Sequence, residues 1–235
     1  MPTLSSSIRA VILDFDGLII DSESPLFDIW CEIYGEHGET LTLENWQHAL
    51  GTHGGFDPFA DLAARVATAL DRDGLSGYVS REHWRRCGQA PLLPGVRDLL
   101  IEARALGLRT AVASSSSLEW VGPWLHQHAL DPLLDAVCTR YDVVRLKPAP
   151  DLFLLAAERL GIGPTACVVF EDSPNGIRAA KAAGMHVVAV PNALTRSLTL
   201  PDPDLVIPSL ASVRLAAILE RLQDAPREPG ERRPG

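Results

Sequence analysis

The sequence predicts an α/β protein, a doubly wound parallel sheet with an all-α subdomain inserted after its first strand. Three observations carry this prediction. Short apolar runs recur along the chain and alternate with amphipathic helical patterns. The links between them are short, which suits strand–helix–strand crossovers in a parallel sheet covered on both faces. The alternation fails over residues 24–90, where apolar spacing is helical and no strand pattern occurs.

Taken in chain order, residues 10–13 form the first buried strand. Leu26, Ile29, Trp30 and Ile33 then make one helical stripe. Phe59, Leu62, Ala63, Val66 and Leu70 make a second, entered by Asp57 as N-cap and Pro58 at the first helical position. Val96, Leu99, Leu100, Ala103 and Leu106 fit one face of a helix stopped by Gly107. Residues 110–113 are the next strand, and the serines at 114–117 open a helix containing Trp120, Trp124 and Leu125. Phe153, Leu154, Ala157 and Leu160 fit a helix with Asp151 as N-cap and Gly161 as its stop. Residues 167–170, 187–190 and 205–207 read as further strands, and 176–183 as a helix closed by Gly184. The expected organisation is an α/β core over 8–23 and 91–222 with a helical insertion over 24–90. Residues 1–7 and 223–235 cannot bury a face and are expected to be disordered tails.

Apolar residues are 46% and charged residues 22%, an ordinary soluble balance. The net charge of −9 argues against nucleic acid and anionic membrane as partners, since both attract basic surfaces. A small anionic substrate would need local positive charge from a metal, a lysine or helix N-termini. Cys31, Cys87, Cys138 and Cys167 are scattered and form no CxxC pair, as expected of reduced packing residues in a cytoplasmic protein. No stretch approaches the ~18 apolar residues of a membrane span, and the opening residues lack the apolar core of a signal peptide. A monomer is expected.

Four sequence features carry chemistry. Asp14-Phe15-Asp16-Gly17 follows the first strand, where ligands of such sheets gather, and extended chain would put both acids on one side. Read alone, it fits a calcium-loop fragment or a solvated turn equally well. Glu171-Asp172-Ser173 follows another strand, and its oxygens could complete a hard-cation site with Asp14, favouring Mg²⁺. An Asp before a helix is also an ordinary cap. Lys147 sits in Lys147-Pro148-Ala149-Pro150-Asp151, where the prolines stiffen the segment, although most lysines are simply solvated. Ser114 and Ser115, with the N–H groups of a helix start, form a ready phosphate site, or merely cap the helix. Together the four supply nucleophile, cation, lysine and phosphate donors at one sheet edge. All are needed, because a carboxylate meeting a phosphate dianion at ~4 Å faces roughly 8 kcal/mol of repulsion at an effective dielectric near 20.

These residues resemble the haloacid dehalogenase superfamily, in particular its β-phosphoglucomutase-like branch with a helical cap after the first motif. DFDGLIIDSE, the serine closing TAVASS, KPAPD and VVFEDSPNGI match the family's four motifs in order, over about residues 8–220. The resemblance implies that Asp14 attacks phosphorus and that Asp16 acts as general acid, then base. It implies phosphate binding by Ser114, Ser115 and Lys147. It implies Mg²⁺ held by Asp14, the Asp16 carbonyl and Asp172, with Glu171 in or just outside the shell. Asp16 favours phosphate esters over halides, because an alkoxide leaving group needs a proton donor.

Departures from the family pattern bear on the substrate. Leu26 stands where the mutase has a histidine, and residues 50–54 (LGTHG) lack the mutase's lysine and arginine. The expected activity is therefore that of a phosphatase acting on a small phosphorylated metabolite, a sugar phosphate or its like. Glu23, Thr52 and His53 are candidate substrate contacts. A phosphoryl mutase is the first rival reading. A signalling switch that stores phosphate on an aspartate is the second, disfavoured because a switch needs an exposed output face rather than a lid.

Overall fold

A computed structural model of the protein describes residues 8–50, 55–88 and 90–224. Thr52, His53 and most of both expected tails lie outside the described residues. The described residues open with β1 (Ala10–Leu13) and then run through the helices α1 (Glu23–Glu36), α2 (Leu43–Trp46), α3 (Pro58–Arg65) and α4 (Arg72–Cys87). The chain continues through α5 (Val96–Ala105), β2 (Arg109–Ala113), α6 (Leu118–Gln127), β3 (Ala136–Cys138) and α7 (Asp151–Leu160). The remainder is β4 (Cys167–Glu171), α8 (Pro174–Ala182), β5 (His186–Ala189), β6 (Leu205–Val206) and α9 (Leu215–Asp224).

The described strands form one parallel sheet in the order β3-β2-β1-β4-β5-β6. The chain winds outward from β1 to β3, then crosses back to place β4 on the other side of β1. That reversal puts the carboxyl ends of β1 and β4 side by side at the switch point. Alternate side chains serve the two faces, as strand geometry requires. Val11 and Leu13 pack with α5, α6 and α9, whereas Ala10 and Ile12 pack with α7 and α8. Helices α1–α4 enclose a separate core around Ile29, Trp30, Ile33, Trp46 and Leu62. Among the described residues no helix is long and apolar enough to cross a membrane.

Local chemistry explains most boundaries. Asp57 caps α3 by accepting from the N–H groups of Phe59 and Ala60, and Gly161 stops α7 at φ +67°. Four expectations need correction. Asp151 does not cap α7 but opens it, and its carboxylate is held by Arg145 at 2.7 Å. The second helical stripe does not run to Leu70, because the chain turns extended at Val66. The sheet gains β3, which the sequence reading lacked. Helix α9 reaches Asp224, two residues into the expected tail.

Candidate active site

The end of β1 delivers Asp14 and Asp16 into a shared crevice through a sharp turn. Gly17 adopts φ +81°, and a Cβ there would lie 2.6 Å from both Asp172 Oδ2 and Asn192 Nδ2. Only glycine satisfies both the backbone and the close approach. Gly176, at the start of α8, is constrained similarly: a Cβ would meet the Glu171 carboxylate at 1.6 Å. The neighbouring acids Glu171 and Asp172 are therefore each packed directly against a glycine.

Lys147 lies at the centre of this crevice and is 1% exposed. Its ammonium donates to Asp14 Oδ1 and, at 2.7 Å, to Glu171 Oε1. Glu171 Oε2 accepts from the N–H and hydroxyl of Ser173, at 2.8 and 3.0 Å. Asp172 accepts from Asn192 at 2.6 Å through Oδ2, whereas its Oδ1 is buried without a partner. Asp14, Glu171 and Asp172 each offer an oxygen within 4.8 Å of the others. One lysine therefore faces three buried carboxylates.

The electrostatic consequences follow. Burial, reinforced by Glu171 and Asp16 against the pull of Lys147, pushes Asp14 up to about 7. Burial, then Glu171 and Asp14, raises Asp172 well above the carboxylate range. Burial alone would depress Lys147, but the Asp14 and Glu171 charges hold it above its ordinary value. A divalent cation at the Asp172 oxygen would relieve this surplus. The oxygen-only donor set and the orphaned Oδ1 fit a hard ion such as Mg²⁺.

Asp16 faces the other way. Its Oδ1 accepts from Ser22 Oγ at 2.7 Å and Trp120 Nε1 at 2.8 Å. Its Oδ2 accepts from Ser116 Oγ at 2.6 Å and Ser114 Oγ at 3.3 Å. Asp14, Asp16, Ser115 and Glu23 line a cavity of about 440 Å³, whose far wall includes Leu26, Trp30 and Trp46. Burial, with Asp16 and Asp14 nearby, pushes Glu23 up to about 8. Arg140 also lines this cavity, so positive charge sought in residues 50–54 reaches it from the loop after β3.

The structure thus brings Asp14, Lys147, Glu171 and Asp172 into one cluster, with Asp16, Ser114, Ser115 and Glu23 beside it. The Asp16 side chain is not in the three-acid group. Sequence reasoning missed Ser22, Ser116, Trp120, Asn192 and Arg140. Ser22 lies in DFDGLIIDSE, Ser116 in the serine run at 114–117 and Trp120 on the helix that run opens, whereas Asn192 and Arg140 lie outside all four motifs.

Known proteins are similar to this chain along most of its length. YhcW of Bacillus subtilis (strain 168) is 40% identical over 215 residues, covering 92% of this chain and 98% of its own. Hexitol phosphatase B of Escherichia coli (strain K12) is 33% identical over 218 residues, covering 91% and 94%. The crystal structure of CbbY from Rhodobacter sphaeroides in complex with phosphate superposes with a TM-score of 0.71 at 28% identity, covering 89% of this chain and 98% of that one. Residues 8–184 match the family described as haloacid dehalogenase-like hydrolase, and the chain is an enzyme belonging to that family.

Proposed function

We propose that the protein is a phosphatase that hydrolyses a small phosphorylated metabolite through transient phosphorylation of Asp14. The observation that carries this reading is the pairing of two carboxylates on one cavity. Asp14 is held by the buried Lys147, and Asp16 stands two residues on with a separate set of donors. The relatives add substrate chemistry: one is a hexitol phosphatase and another was crystallised with phosphate.

In the first step an Asp14 oxygen attacks phosphorus, and the bond from phosphorus to the ester oxygen breaks. Asp16, in its acid form, gives its proton to the departing oxygen. In the second step Asp16, now a carboxylate, takes a proton from water as that water attacks phospho-Asp14. Inorganic phosphate leaves, and the Asp14 carboxylate is restored. Lys147 and the serine hydroxyls at 114 and 115 hold the phosphoryl oxygens. Asp14, Asp172 and the Asp16 carbonyl would hold Mg²⁺, with Glu171 just outside through its bonds to Lys147 and Ser173. When bound, Mg²⁺ supplies the positive charge that lets an anionic nucleophile meet an anionic ester. Helices α1–α4 act as a lid that excludes bulk water.

Two expected results test this reading. A panel of phosphorylated metabolites should release phosphate only with Mg²⁺ present, and full activity in excess chelator would contradict the metal assignment. Mg²⁺ should also raise the melting temperature of wild type, and Asp172→Ala should lose that shift while keeping the fold.

A mutase reading is favoured by one observation, Arg140 in the cavity wall, because a mutase must grip a distal phosphate. The phosphatase reading expects β-glucose 1-phosphate, supplied with a trace of the 1,6-bisphosphate, to give free phosphate if it reacts. Following both products in one reaction decides between them. Glucose 6-phosphate accumulating much faster than phosphate would establish the mutase.

A further inference from the structure

Trp120 stands where Asp16, α6 and α4 meet. Its Nε1–H donates to Asp16 Oδ1 at 2.8 Å. One indole face lies on the His83 ring, with centroids 4.6 Å apart and 18° between the planes. Trp84 meets Trp120 edge-on at 4.6 Å and stacks in turn on Trp124 at 5.4 Å. His83 and Trp84 belong to α4, whereas Trp120 and Trp124 belong to α6. The aromatic group therefore joins the helical insertion to the sheet domain.

A second connection closes a circuit. His83 Nε2 lies 2.7 Å from the Ser22 carbonyl, and a nitrogen so close to a carbonyl oxygen must carry the proton. Burial lowers the His83 pKa, which favours the neutral ring. Ser22 Oγ donates to the same Asp16 Oδ1 that Trp120 holds. Both donors to that oxygen thus lead back to His83, one through ring stacking and one through the Ser22 backbone. The indole N–H groups of Trp46 and Trp124 are buried without partners, so packing a tryptophan here does not by itself demand such a bond.

We propose that Trp120 is a positioning residue for Asp16, and that its stacking against His83 and Trp84 makes α4 the element that sets where this acid stands. The inference rests on the reading of Asp16 as the group that protonates the leaving alcohol. Proton transfer demands close hydrogen-bond reach, so an acid released from one of its two Oδ1 donors loses aim. The defect should then depend on how much the leaving group needs a proton. A packing role would not have that dependence.

The test compares two esters in Trp120→Phe, which keeps an aromatic ring and removes the N–H. One is p-nitrophenyl phosphate, whose phenolate departs without protonation. The other is the aliphatic phosphate monoester that wild type turns over fastest. kcat/KM for the aliphatic ester should fall about thirtyfold or more, in line with the cost of misplacing a catalytic group, and for p-nitrophenyl phosphate by less than about threefold. Trp84→Ala leaves the Trp120 bond in place and loosens only the stack. It should bias the two esters the same way, by about threefold, and it decides the matter should Trp120→Phe fail to fold. Equal losses on both esters, or wild-type kcat/KM on the aliphatic one, would overturn the proposal. Asp14→Asn is the control for the underlying reading: it should be inactive on both esters, and activity there would sink the nucleophile assignment rather than the role of Trp120.

Discussion

Asp14→Asn is expected to lower turnover by at least about a thousandfold, which corresponds to roughly 4 kcal/mol of lost transition-state stabilisation. The substitution replaces the carboxylate proposed to attack phosphorus by an amide of the same shape. It also takes one charge from a site where three buried carboxylates share one lysine. The fold should therefore survive, with a melting temperature no lower than that of wild type in the absence of metal. Steady-state assays beside thermal melts check both halves. Retention of more than about a tenth of wild-type turnover, a loss under ~1.4 kcal/mol, would rule out Asp14 as nucleophile.

Lys147→Met should damage both stability and rate. The ammonium is buried between Asp14 and Glu171, and an apolar replacement leaves two carboxylates there without a counter-charge. Breaking a buried pair from one side costs about 3–5 kcal/mol. Turnover should fall about 10²- to 10³-fold, the usual loss when one group that stabilises developing charge is removed. The stability deficit should depend on pH with a definite sign. Without the lysine charge, Asp14 holds its proton to a higher pH than the value of about 7 it has beside Lys147. The folded variant then binds more protons than folded wild type above that pH, so the deficit grows as pH rises from 6 to 8. Denaturant melts of both proteins in chelator at the two pH values measure this. A deficit that shrinks with rising pH would contradict the charge-balance account of the cluster.

The parts of the fold that can be read from the sequence are those whose burial is complete and whose boundaries are marked. Strand β1 and most of β4 are runs of fully buried apolar residues, and α5, α7 and α8 end close to Gly107, Gly161 and Gly184. Helix α4 escaped notice because few of its positions are apolar and buried: Val79 and Cys87 are the buried ones among residues dominated by charge and glycine. Strand β3 escaped because a three-residue strand carries too little periodicity to separate it from a loop.

The site divides the same way. Asp14, Glu171 and Asp172 each sit at or just past a strand end, and Lys147 sits in a proline-stiffened segment just before α7. Trp120 and Asn192 act through contacts 104 and 20 residues away in sequence, to Asp16 and Asp172 respectively. Nothing local distinguishes Trp120 from the packing tryptophan Trp124 four residues later. Only the folded chain separates the indole that holds the acid from the one that fills the core.

The most direct test of the central claim is chemical trapping at Asp14. The enzyme is quenched in acid during turnover of its best phosphate ester, reduced with borohydride and digested for peptide mass spectrometry. An acyl phosphate at Asp14 would be reduced to homoserine, so the account expects homoserine at position 14 in wild type only when substrate is present. Sustained turnover with unmodified Asp14, or with the reduced residue at another carboxylate, would contradict it.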